Sequence, residues 1–148
     1  MKKTIISATV AAITAMLAIT SCELESSGNG NLDGYWHLER VDTLATGGVK
    51  DLSEDLYFWA FQGKLLDLVN RNWTTSECLA RFLQSGNTLT ISSPFRYDRM
   101  GGDEPLETPE LLQPYGINNI EEKFIIESQS GSKMTLKSEM LRLFFRKL

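Results

Sequence analysis

Few residues of this chain could carry chemistry, and they lie in separate stretches. The reactive side chains are two cysteines, Cys22 and Cys78, one histidine, His37, and an acidic cluster of Asp103, Glu104, Glu107 and Glu110. Cys22 closes the run Ile19-Thr20-Ser21-Cys22, an aliphatic residue, two small ones and a cysteine. That is the lipobox pattern of bacterial lipoproteins: the peptidase needs small side chains before the cut, and the lipid is attached through the Cys22 thiol. One histidine and no Cys/His cluster give zinc no ligand set. A Ser-His-Asp triad would have to use His37, which stands beside Trp36 with no Gly-x-Ser-x-Gly motif to supply a nucleophile. Neither a phosphate loop nor a dinucleotide fingerprint is present. The acidic cluster could attract calcium, but its spacing matches no EF-hand loop, and a solvated acidic loop is the simpler reading. The expectation is therefore no enzyme and no cofactor.

Two short motifs suggest modification. Asp42-Thr43-Leu44 resembles the acid-Thr-aliphatic site that some Gram-negative bacteria O-glycosylate on exported proteins, although three residues recur by chance. Asn72-Trp73-Thr74 fits an N-glycosylation sequon, which a bacterial lipobox voids. Cys78 has no partner once Cys22 is lipidated. Its neighbours, Glu77 to Leu83, read as a strand, so a buried, inert thiol is expected in preference to a reactive one.

The elements that must position these residues begin after a leader. Lys2 and Lys3 precede an apolar, alanine-rich stretch from Thr4 to Ile19. That stretch is short of the ~20 residues needed to span a bilayer, and residues 1–21 read as a signal peptide. Residues 22–31 follow as a lipidated, flexible tether, polar and glycine-rich. Its two glutamates weakly resemble a surface-export signal; a solvated spacer is the plainer account. The expected location is the cell envelope, anchored to the outer membrane. The whole chain has 148 residues, with 15 basic and 19 acidic ones; losing Lys2 and Lys3 leaves it near −6. An acidic surface argues against nucleic acid, which requires clustered Lys and Arg. The remaining chain of roughly 127 residues buries about two thirds of its unfolded surface, enough for a core without disulfides.

Within residues 32–148 the pattern is strand, turn, strand. Eight strands are expected, at 34–43, 55–62, 64–70, 77–84, 88–93, 120–129, 132–137 and 140–147. Thr88-Leu-Thr-Ile-Ser92 and Lys133-Met-Thr-Leu-Lys137 alternate with period two. Ser85-Gly86-Asn87 and Ser130-Gly131-Ser132 are turns. Residues 94–117 hold all four prolines and the Gly101-Gly102 pair, and so are expected to contain no strand. Thr108-Pro109-Glu110 reads as the start of one short helix, ended after about two turns by Pro114 and Gly116. Short antiparallel strands joined by tight turns make an all-β fold, and eight in up-and-down order close into a barrel.

Strand one opens Gly34-Tyr35-Trp36, and the last strand reads Leu141-Arg-Leu-Phe-Phe-Arg-Lys147. With eight strands between, the chain resembles the lipocalin-like (calycin) barrels found as bacterial lipoproteins. The resemblance implies a Trp36 plug at one end, with Gly34 turning the chain beneath it. It also implies an arginine from the end of the last strand stacked on that tryptophan: Arg146, with Arg142 in reserve. No Thr-Asp-Tyr signature is found in the middle of the chain, and the long proline-rich insertion before strand six is atypical of the family.

Two functions are open. In the first, the barrel holds a small apolar or amphipathic ligand lined by Phe58, Ala60, Leu66, Leu68, Ala80 and Phe82, taken as same-face sets on three consecutive strands. In the second, the barrel is filled by its own side chains and meets a protein or glycan through its surface or the 94–119 insertion, as an inhibitor or assembly subunit. The chain's 14 aromatic residues bear on the choice: if most point inward, the barrel is full. Fold analogy favours the first reading.

Overall fold

Trp36 and Trp59 stand directly opposite one another on antiparallel strands, so their side chains share a face. Both are 0% exposed. This pair sets which side of every following strand faces inward. The computed structural model describes residues Gly28–Leu148. Its strands are β1 (Gly34–Thr43), β2 (Val49–Asp51), β3 (Tyr57–Gln62), β4 (Leu65–Asn70), β5 (Cys78–Ser85), β6 (Thr88–Arg96), β7 (Glu104–Pro105), β8 (Glu122–Gln129), β9 (Lys133–Lys137) and β10 (Leu141–Lys147). Eight of them pair in the cyclic order β1-β3-β4-β5-β6-β8-β9-β10, and β10 returns antiparallel to β1. The result is a closed, up-and-down antiparallel barrel with no free edge. Strands β2 and β7 are short arms, on β1 and β6 respectively.

Alternation carries the Trp36–Trp59 face around the wall. Phe61 lies opposite Leu66, and Trp59 opposite Leu68. Ala80 pairs with Leu66 and Cys78 with Leu68. Leu89 and Ile91 from β6, Phe124 from β8, Met134 and Leu136 from β9, and Leu143 and Phe145 from β10 complete the buried set. On β1 a register shift between Leu38 and Arg40 moves the inward positions from Trp36 and Leu38 to Val41, the expected effect of one extra residue in a strand.

Two expectations about residues 94–117 are corrected. First, β6 continues through Pro94 to Arg96. The Leu79/Arg81 irregularity of β5 lies opposite that point, and Ser93 adopts φ 49° there. A bulge is where a strand tolerates a residue without an N–H. Second, no two-turn helix forms after Thr108. The Pro109 carbonyl accepts from both Leu112 and Gln113 N–H, but Pro114 has no N–H to extend the ladder. The chain tightens into a 3-10 turn at Gln113–Tyr115 and ends on Gly116, which has φ 84°. A second 3-10 turn, Gly30–Leu32, precedes β1.

Candidate functional site

For a barrel the natural site is its interior, reached through one of its ends. Strand directions place the turns near 63, 86 and 131, together with residues 28–33 and the C-terminus, at one end. The loops at 44–48, 71–77 and 97–121 lie at the other.

The first end is closed by the chain's own entry. Leu32 is fully buried, and its carbonyl accepts from Trp36 Nε1 at 2.8 Å. The Asn29 side chain donates to Gly63 O at 2.7 Å. The expected arginine stack is corrected here. Arg146 points outward, its Nε 2.6 Å from Glu39 Oε1, and Arg142 is on the outside too, paired with both oxygens of Glu127. The cation over Trp36 is Lys147, with Nζ 5.0 Å from the ring centroid and 3.0 Å from Asn31 O. The cause is parity: Lys147 is the residue opposite Trp36 and shares the inward side of Leu143 and Phe145, whereas Arg146, between Phe145 and Lys147, takes the outward side. Gly34 has φ 116°, and a Cβ there would stand 2.6 Å from Lys147 Cε.

The opposite end is closed by the proline-rich insertion. Leu112, Tyr115 and Ile117 are fully buried. The Tyr115 carbonyl accepts from Trp59 Nε1 at 3.0 Å, and its hydroxyl donates to Ser76 O at 3.1 Å. Tyr57 meets the Tyr115 ring edge-on at 5.4 Å. Gly116 passes so close to β10 that a Cβ would stand 2.7 Å from Leu143 Cδ2. Only glycine fits that approach at positive φ.

Between the two plugs Trp59 is the hub, with Phe145, Phe124 and Phe61 at 5.1, 5.6 and 6.1 Å. Phe61 meets Phe82 edge-on at 4.9 Å. Of the six residues expected to line a ligand space, Leu66, Leu68, Ala80 and Phe82 belong to this packed core. Phe58 and Ala60 are corrected: they point outward. Phe58 lies opposite His37 and Val69, and Ala60 opposite Tyr35 and Asp67. The run Tyr57–Phe61 is apolar on both faces, so alternation alone does not say which side is in. Phe58 is buried from outside, stacked on Tyr35 at 4.9 Å, with the His37 ring at 4.9 Å.

The remaining chemical residues are structural or superficial. His37 is tied to Asp55 O through Nε2 at 2.8 Å. Cys78 is buried; burial first, then the Glu77 carboxylate, push its thiol up to about 11, so it is not a nucleophile at neutral pH. Thr43 is half-buried at the end of β1. Cys22 lies outside the described residues. Sequence reasoning passed over Asp67, on the outer wall. Its Oδ1 is buried without a hydrogen-bond partner, and burial followed by the adjacent Glu77 pushes its carboxyl up to about 7. It passed over Tyr115 as well, although Leu111-Leu112 and Tyr115-Gly-Ile117 were apolar signals inside a loop.

The recesses described are on the surface. One of about 670 Å³ lies at the first end, between residues 28–31, the turns at 63 and 86, and Gln129. Another, of about 330 Å³, lies in the β4–β5 loop.

The fold is thus that of a lipocalin-like barrel with both ends occupied by its own chain. The chain belongs to the lipocalin-like domain family, whose family model matches residues 16–148. No curated protein matches it. Among solved structures it is similar to a lipocalin-like protein from Bacteroides uniformis ATCC 8492, at 20% identity and TM-score 0.60, over 80% of this chain and 100% of that one. It is also similar to an uncharacterized protein from Bacteroides eggerthii DSM 20697, at 19% identity and TM-score 0.54, over 78% of this chain and 98% of that one. At these identities the likeness speaks to fold alone.

Proposed function

We propose that this lipocalin-like barrel is an envelope-tethered recognition module that works through its surface and holds no ligand in its interior. The observation that carries the reading is the double closure around Trp59. The space a lipocalin-like barrel would give to a ligand holds Trp36, Trp59, Phe124 and Phe145, all essentially inaccessible, and residues 112–117 occupy the mouth. Admitting a ligand there would break the Trp59–Tyr115 and Tyr115–Ser76 hydrogen bonds. It would also expose Leu112 and Ile117 to water, at about 1.5–3 kcal/mol for each large apolar side chain. The Ile19–Cys22 lipobox supports the tether. It enters the barrel at the end holding residues 28–33, which leaves the loops of the far end facing away from the anchor.

The test is a titration of the purified protein with 1-anilinonaphthalene-8-sulfonate, followed by displacement with palmitate. No saturable binding over the micromolar range is expected. Stoichiometric binding that palmitate displaces would overturn the reading and restore an interior ligand.

A further inference from the structure

Trp73 is the most exposed aromatic side chain among the described residues, at 87%, and the chain holds it there against conformational preference. It adopts φ 57°, in the left-handed region that residues with a Cβ rarely enter. A conformation of that kind persists only where its surroundings over-determine it. Here the clamp is Asn70, which is buried. Asn70 Oδ1 accepts from Thr74 N–H at 2.9 Å and from Thr74 Oγ at 3.0 Å. Its backbone carbonyl accepts from Trp73 N–H at 3.3 Å. Below, the loop is pinned to the barrel plug through Tyr115 Oη and Ser76 O.

Beside the indole is the recess of about 330 Å³, lined by Asn70, Trp73, Thr74, Thr75, Ser76 and Glu77. Apart from Trp73 the lining is one amide, three hydroxyls and one carboxylate. Among the described residues neither Trp73 Nε1–H nor the Ser76 hydroxyl has a hydrogen-bond partner. No cation lines the recess: Arg71 bonds Tyr35 Oη at 3.2 Å, Arg99 bonds Tyr97 Oη at 2.8 Å, and Arg96 pairs with Glu104 at 2.9 Å.

From this we infer that the β4–β5 loop is a saccharide-binding site, with a neutral sugar ring stacked on Trp73 and its hydroxyls bonded to Thr74, Ser76 and Glu77. A pyranose has an apolar C–H face and a polar rim, which matches one aromatic wall facing hydroxyls and a carboxylate. A recess of this size admits about one ring. Protein-binding hot spots instead sit in dry, well-packed surroundings, which this lining does not provide. An anionic ligand would meet the Glu77 carboxylate, the one charged group of the lining. Fixing the backbone that carries the tryptophan removes the ordering cost a mobile loop would add on binding. The inference rests on the surface-recognition reading and names its ligand class.

The experiment is affinity electrophoresis of the full-length protein through gels containing amylopectin, arabinoxylan, galactomannan, laminarin or yeast mannan. Calorimetry follows on whichever polymer retards it. Retardation by at least one polymer is expected. Trp73→Ala should weaken it about tenfold or more, the loss expected of a tryptophan anchor, and Trp73→Phe should retain part of it. Met100→Ala, at an equally exposed side chain on the adjacent 97–103 loop, should change nothing. Because Trp73 is outside the core, its variants should keep the wild-type Tm. Binding to no polymer, or equal binding by Trp73→Ala, would overturn the proposal. So would Trp73-dependent adsorption to phosphatidylcholine vesicles without polymer binding, which would make the loop a lipid-docking tip. A protein that binds neither a polymer nor the apolar probe loses this site alone; one that takes the probe inside loses the surface-recognition reading.

Discussion

Arg146 and Lys147 are neighbours on β10, yet they meet different worlds, because successive side chains of a strand point to opposite faces. Arg146 reaches Glu39 in solvent, and exposed pairs of this kind contribute about 0–1 kcal/mol. Lys147 lies over the indole of a fully buried tryptophan, an arrangement worth about 0.5–2 kcal/mol. In a double-mutant cycle with Trp36→Phe, Lys147→Met should therefore show coupling, while Arg146→Met should be additive with it. Chemical denaturation of the four proteins in each cycle checks this. Asp67 allows a second prediction at the same scale. Its carboxyl is held up to about 7 by burial and by Glu77, against 3.8 for the ordinary group. Between these values the folded protein keeps a proton that the unfolded chain has released. Stability therefore falls as pH rises through that window and levels off above it. Asp67→Asn should flatten the dependence of Tm on pH between about 4 and 7 and raise Tm at pH 8. A variant whose Tm tracks wild type across the range would show that Asp67 does not titrate there.

At the scale of elements the insertion between β6 and β8 is what closes the second end of the barrel. Pro109 starts a turn and Pro114 stops it from growing into a helix, leaving two tight turns. That shape is compact enough to seat Tyr115 and Ile117 inside the mouth. Gly116 makes the seat possible, combining φ 84° with an approach to Leu143 that leaves no room for a Cβ. Gly116→Ala should cost about 1–3 kcal/mol, from backbone strain and overpacking together. Its consequence should be local first: the 106–117 segment should become a preferred site of limited proteolysis. A variant as stable and as resistant as wild type would mean the plug is not seated as described. The expected strand-free insertion and the expected helix failed for different reasons. Pro94 lies opposite the irregularity of β5, far away in sequence, where a missing donor is tolerated; Pro114 falls where a second helical turn needs a local N–H.

At the scale of the molecule the barrel has two unlike ends, one carrying the chain's entry and the other carrying the plug, Trp73 and Met100. If Cys22 is the anchor, the second end faces away from the membrane. Cys22→Ser removes the sulfur a thioether requires. The variant should accumulate as an uncleaved precursor that takes up no radiolabelled palmitate in growing cells; label retained in that variant would remove the tether from the proposal. With the tether gone but the barrel intact, the surface of the far end should still recognise its ligand, because residues 28–33 lie at the opposite end of the barrel.

The barrel was legible in the sequence because closure depends on strand count, and strand count depends on local alternation and turn residues that one chain displays without its partners. The strands expected at 34–43, 132–137 and 140–147 were readable for that reason, and so was a buried Cys78. Three matters were decided only in three dimensions. Which face of Tyr57–Phe61 is inside depended on the pairing of Trp59 with Trp36, since both faces are apolar. Which cation covers Trp36 depended on the register of β10 against β1, where one residue reverses every side chain. Whether the barrel is empty or full depended on a loop of the chain itself. Its apolar residues, Leu112, Tyr115 and Ile117, follow no strand or helix period, and their burial arises only where the eight strands make a mouth for them to fill.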